Sequence, residues 1–298
     1  MNRSQRLAIA LGLNLALVAG QAVFGLIAHS VGLLADAAHN LTDAAAVIIS
    51  LIAVRLTRRP PTPRRSYGYH RTTILAALAN ALGILVITVF IAYEAITRLR
   101  NPEPVHGGIV VTVALGAMLI NLGAAAILYE RQVDLNMRSA FLHMAGDAVA
   151  SLGVAAAGLV ILITGRYEWL DPMVSLGIGA LIGVEAWRLV RSSVDVLLES
   201  TPDDIDLDAL NTAITDLDGV VDVHDLHVWS LSSGIRALSA HLLVTGTPRL
   251  DEAEAIGAQV KQILADRFAI AHSTLELEAA NGRDKSVCIS DVERHVAD

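Results

Sequence analysis

A chain of 298 residues that is 54% hydrophobic and 17% charged is too apolar for an ordinary soluble domain of its size. Its single cysteine, Cys288, excludes an intramolecular disulfide and any cysteine-rich metal cluster within one chain. The net charge of −8 gathers late, in stretches such as TPDDIDLDALNTAITDLDG, so no nucleic-acid partner is expected.

The apolar excess is uneven, and this divides the chain. A helix needs about 20 mostly apolar residues to cross a lipid bilayer. Six segments qualify: 7–28, 32–54, 73–97, 108–129, 140–164 and 171–195. The first begins with basic residues followed by an apolar run, as a signal peptide does. The run is too long for that and lacks a cleavage site, so it is taken as a span. The arginines of RLTRRPPTPRRSYGYHR, between the second and third spans, place that loop in the cytoplasm by the positive-inside rule. An even number of spans then leaves both termini inside, and a bacterial inner membrane is expected. Residues 1–198 thus form a six-helix transmembrane domain.

Residues 199–280 read differently. ESTPDD ends the membrane region, and 206–217 has a helical pattern. VVDVHDLHVW and RALSAHLLV alternate as strands across the turn SLSSG. DEAEAIGAQVKQILADRF is an amphipathic helix and HSTLELEA a last strand. The order α-β-β-α-β predicts a small cytoplasmic α+β domain of ferredoxin-like type, with helices on one face of a three-stranded sheet. Residues 281–298 are a polar tail.

Within the second span, LLADAAHNLTDAAAV carries Asp36, His39 and Asp43. A charge at the bilayer centre costs roughly 2.5–3.5 kcal/mol even on mild insertion scales, so something must offset it. His39 and Asp43 are one helical turn apart, about 6 Å along the axis. The fifth span repeats the spacing with His143 and Asp147. If the two helices pack at matching depth, two imidazoles and two carboxylates converge into a tetrahedral site that suits Zn²⁺. The same ligands accept Cd²⁺ and Co²⁺, while the absence of sulfur ligands argues against Cu⁺. Small residues flank both motifs and permit close helix approach. Asp36, one turn before His39, is a candidate to orient that ligand from behind, or to line a polar cavity. Asn14, Asn80 and Asn121 are expected to bond between helices. Glu94 with Arg98 and Glu185 with Arg188 are expected to be interfacial ion pairs.

These motifs carry a resemblance. LLADAAHNLTDA, HMAGDAVASLGV, YGYHRTTILAALAN and HDLHVWSLSSG together resemble the cation diffusion facilitator family of metal/proton antiporters, over nearly the whole chain. The His-Asp/His-Asp arrangement is similar to that of its zinc-type members. One departure is Thr72 and Thr73, where relatives often carry an acidic residue after the basic one. The resemblance implies proton-coupled efflux of a divalent metal by a homodimer. It also implies a cytoplasmic metal site, for which His241, His224, His227 and Glu276 are the candidates. His224 and His227 are three residues apart, so on a regular strand only one shares a face with His241 unless a bulge intervenes. His70 in the basic loop is a candidate for metal entry, and Trp229 is expected to pack a core or interface.

The physics of exchange fits the resemblance. Metal binding needs neutral imidazole and ionised carboxylate, so metal and protons displace each other. An unperturbed histidine, with a pKa of about 6.5, makes this exchange near neutral pH. No H-E-x-x-H or other activating glutamate adjoins the histidines, so an enzyme is not expected. A membrane metal sensor that binds without transporting is the alternative.

Overall fold

The computed structural model describes residues 3–129, 135–232 and 234–280, without the side chains of 3–11, 13, 127–129, 135–140 and 143. The polar tail and Cys288 lie outside the described residues. Six long helices come first: α1 (Arg3–Ile27), α2 (Val31–Thr57), α3 (Thr72–Arg100), α4 (Gly107–Tyr129), α5 (Leu135–Thr164) and α6 (Leu170–Leu197). Among the described residues, five of them (α2 to α6) are long and apolar enough to cross a membrane. α1 spans 25 residues, and its described apolar part is Asn14–Ile27. Large apolar side chains such as Val86, Phe90, Ile163 and Leu181 point outward, which suits a hydrocarbon solvent.

Local chemistry sets the helix ends. His29 takes a left-handed φ of 51°, and the Ser30 hydroxyl accepts from the Leu33 backbone N–H at 3.1 Å, capping α2. Gly165, with φ 59°, ends α5 by donating to the Ile161 carbonyl at 2.9 Å. α4 and α5 cross almost in backbone contact. A Cβ on Gly107 would lie 2.7 Å from the Gly158 carbonyl, and one on Gly158 would lie 2.7 Å from Val110.

Contacts divide the chain into two compact units, Met1–Ala53 with Ala76–Arg191, and Val54–Leu75 with Ser192–Asp298. The second holds α7 (Leu207–Thr215), β1 (Val220–Ser232), β2 (Ile235–Val244), α8 (Leu250–Phe268) and β3 (His272–Ala279). The order is the α-β-β-α-β read from the sequence. β1 and β2 pair antiparallel, β2 and β3 parallel, in the order β1-β2-β3. One sheet face, with Val223, Val228, Leu238, Ala240, Leu242 and Val244, packs on Leu210 and Ile214 of α7 and Val260 and Leu264 of α8. Each fully buried Leu, Ile or Val contributes about 1.5–3 kcal/mol, enough to fix which face points inward. Asp206 caps α7 by accepting from the backbone N–H groups of Asp208 and Ala209.

Candidate metal centres

The first cluster lies within the spans. His39 Nε2 on α2 is 3.0 Å from Asp147 Oδ1 on α5 and 3.7 Å from Asp43 Oδ2 one turn along its own helix. Ligand atoms of His39, Asp43 and Asp147 all fall within 4.8 Å of one another. The Asp147 and His39 side chains are 5% and 13% exposed, and that of Asp43 is 28% exposed. A tetrahedral ion with bonds of about 2.1 Å separates its ligands by about 3.4 Å, so a dication requires only small adjustments of this triad. His143 lies one turn before Asp147 on α5, and its side chain is outside the described residues.

A second polar layer lies one turn towards the N-terminus of α2, and most of it had no signature in the sequence. Asp36 is fully buried, and its Oδ2 accepts from Gln21 Nε2 at 2.5 Å and from the Ser151 hydroxyl at 2.9 Å. Asn40 Nδ2 donates to Gln21 Oε1 at 3.1 Å and to the Asp36 carbonyl at 3.0 Å. Asp36 thus joins α1, α2 and α5, and its hydrogen bonds run to Gln21 and Ser151 rather than to the His39 ring. Asp36 Oδ1 has no hydrogen-bond partner among the described residues, and neither does Asn121 Nδ2 on α4. The glue expected of Asn121 is therefore not seen for its amide nitrogen.

A third tie sits at the start of α2. Asp171, in the first turn of α6, accepts from the Ser30 hydroxyl at 2.5 Å and from the Val31 and Gly32 backbone N–H groups at 2.7 and 3.2 Å. It supplies a carboxylate to the positive end of another helix. A Cβ on Gly32 would meet Asp171 at 2.9 Å, so this approach requires glycine. Nearby, Arg98 Nε donates to Glu94 at 3.0 Å, the expected pair, and Arg98 also reaches Glu103 and the His29 carbonyl.

The second cluster occupies the sheet face opposite the helices. The register of β1 against β2 shifts between His224, which pairs with His241, and His227, which pairs with Ser239. Three residues of β1 oppose two of β2, which is a bulge, and Asp225 within it has φ 49°. The bulge puts both histidines on the face of His241. Glu276 and Glu278 follow there, because His241 and Leu243 are their register partners on β2. Ligand atoms of His224, His241 and Glu278 lie within 4.8 Å of one another. His241 Nδ1 is 2.9 Å from Glu278 Oε1, and His224 Nε2 is 3.5 Å from Glu278 Oε2. Glu276 lies 3.5 Å from His241 Nε2 and is 65% exposed, while His227 pairs with Asp225 at 3.2 Å. The cluster of three thus contains Glu278, which the sequence candidates lacked, and neither His227 nor Glu276. Asp225, 3.7 Å from His241 Nε2, was also unforeseen; only the parity break between His224 and His227 hinted at it.

His70, the candidate for metal entry, lines a pocket with Arg64, Arg65, Arg71 and Glu199. Trp229 lines the same pocket and is half-buried.

Comparison with known proteins agrees with both halves. The family profile described as "Cation efflux transmembrane domain" matches residues 7–198, and "Cation efflux protein, cytoplasmic domain" matches 202–280. The chain is 38% identical to the metal cation efflux system protein CzcD of Cupriavidus metallidurans, over 92% of this chain and 86% of that protein. It is 37% identical to the zinc transporter ZitB of Escherichia coli, over 93% of this chain and 88% of that one. The similarity to the cadmium, cobalt and zinc/H(+)-K(+) antiporter of Bacillus subtilis is 32% over 90% of this chain and 86% of that one. A solved metal-bound C-terminal domain of the CzcD transporter matches 25% of this chain and 99% of that chain at 38% identity, with a TM-score of 0.23. With both halves matched in order, the chain is a multi-pass membrane protein of the cation efflux family, the cation diffusion facilitators.

Proposed function

We propose that this protein exports a divalent metal cation, foremost Zn²⁺, in exchange for protons. The observation that carries the reading is the convergence of His39 and Asp43 of α2 with Asp147 of α5 inside the spans. His143 is assigned as the fourth ligand from its place on α5. The metal is substrate, held by neutral imidazole and ionised carboxylates. Protonating those groups weakens it, and loading it expels protons. Alternation of access between the two sides then couples a proton gradient to metal movement. Cd²⁺ and Co²⁺ fit the same ligands.

Three further assignments belong to this reading. The protein acts as a homodimer in an inner membrane with both termini cytoplasmic, as the arginines of the α2–α3 loop support. The cytoplasmic cluster of His224, His241 and Glu278, with Asp225, His227 and Glu276 around it, binds Zn²⁺ as a regulatory ligand. Transport, not catalysis, is its work. A sensor without transport is not favoured, since the relatives matching nearly all of the chain are named as efflux proteins and transporters.

The test is flux of radioactive zinc in proteoliposomes carrying an imposed pH gradient. Wild type is expected to move zinc against the proton flow, and Asp43→Ala and Asp147→Ala to lose about 99% of the rate or more, since even the partners that orient a ligand cost roughly 10–100-fold. Full flux in either variant, with the protein still inserted, would sink the assignment.

A further inference from the structure

Residues 58–71 join α2 to α3, and the structure makes of them a shaped surface rather than a loose connection. A pocket of about 320 Å³ is lined by Arg64, Arg65, Ser66, His70 and Arg71 of this segment, with Glu199 as its carboxylate and Trp229 and Leu231 of β1 as an apolar wall. Arg71 takes up that carboxylate, its guanidinium donating to Glu199 at 2.5 Å. Neither Arg64 nor Arg65 forms an ion pair among the described residues, so two guanidinium groups line the pocket without a counter-charge.

Their backbone is fixed. Pro60, Pro61 and Pro63 stiffen the approach. Thr62 and Arg65 exchange both backbone hydrogen bonds, at 2.8 and 3.2 Å, and Gly68 closes the next turn on the Arg65 carbonyl at 2.8 Å. Gly68 does so with φ 71°, a conformation open to glycine. The Arg65 guanidinium lies 4.6 Å from the centre of the Tyr69 ring, which orients it. On a stiff scaffold, little freedom is lost when a ligand binds.

The chemistry this pocket recognises is narrow. Cations are repelled. Planar guanidinium forks match the paired oxygens of a phosphate, and a serine hydroxyl adds a donor. Position points to one source: Arg64 is seven residues past the end of α2, and Arg65 seven before the start of α3. Both helices are read as membrane spans, so no residue of the segment is more than seven positions from the end of a span, and lipid phosphate is one source to test. We propose that this pocket binds a phosphate group on Arg64 and Arg65, offered by an anionic lipid headgroup or by free phosphate.

The test uses the purified full chain in neutral detergent and measures binding of three probes: short-chain phosphatidylglycerol, the matching phosphatidylcholine, and inorganic phosphate. R64Q/R65Q is compared with R58Q/R59Q, which removes the same charge from the same loop outside the pocket. R64K/R65K keeps the charge and loses the fork. Wild type is expected to bind phosphatidylglycerol or phosphate, R64Q/R65Q to bind about tenfold more weakly, R64K/R65K to fall between, and R58Q/R59Q to match wild type. Preference for phosphatidylglycerol over inorganic phosphate identifies the headgroup as source, and equal binding identifies free phosphate. Equal weakening by the two glutamine pairs would mean diffuse surface charge and overturn the proposal, as would a wild type that binds neither phosphatidylglycerol nor phosphate, or one that binds phosphatidylcholine as tightly as phosphatidylglycerol.

Discussion

Asp36 is fully buried, and its two carboxylate oxygens have different surroundings. Two donors, from α1 and α5, meet on one of its oxygens, and the other makes no hydrogen bond among the described residues. Truncation to alanine would leave the Gln21 amide and Ser151 hydroxyl facing a hole. Asp36→Ala is therefore expected to lower the unfolding temperature of the purified chain, at a cost of about 1–3 kcal/mol for the stranded donors. Asp36→Asn has a different outcome. Its amide oxygen accepts from both donors, and removal of the buried charge offsets the cost of an NH₂ without an acceptor, so thermal unfolding should fall by less than in Asp36→Ala. Zinc flux in that variant then reports whether the charge itself matters. None of this was legible beforehand. Asp36 stood out as a carboxylate in an apolar helix, but Gln21 and Ser151 are single polar residues in α1 and α5, and nothing in a linear string says that they meet.

Helices and strands differ in how much of them could be read. The spans were legible because hydrocarbon demands long apolar runs, and the expected 73–97 and 171–195 became Thr72–Arg100 and Leu170–Leu197. The strands were legible from alternation, but their faces were not. Parity put His224 and His227 on opposite sides, and the bulge at Asp225, invisible to a period-two pattern, reunited them. The choice between Glu276 and Glu278 depended on register and side-chain reach across the parallel β2–β3 pair. Two predictions belong here. In the full chain carrying Asp43→Ala and Asp147→Ala to silence the spans, zinc titration should show Glu278→Gln weakening the remaining binding by about tenfold or more, at least the cost of losing a group that orients a ligand, with Glu276→Gln the milder change. The α4–α5 crossing also bears on stability. Gly158→Leu would drive side-chain atoms into Val110, already 2.7 Å from an added Cβ. A cost of about 1–3 kcal/mol from overpacking should appear as a lower unfolding temperature in micelles, whereas Gly116→Ala on α4, with open space around it, should leave the temperature unchanged.

At the scale of the molecule, the membrane unit stacks its polar residues along α2: a tie to Asp171 at the first residues, the Asp36 and Asn40 layer next, then His39 and Asp43. The tie to α6 grips the start of α2, and about 8 Å further along the axis, at 1.5 Å per residue, Asp36 is held by donors from α1 and α5. Two anchors set both the depth and the rotation of these first turns. His39 follows about 5 Å past the second anchor, which brings its ring to Asp147 of α5. The height of the metal cluster is thus indexed by bonds that involve none of its ligands.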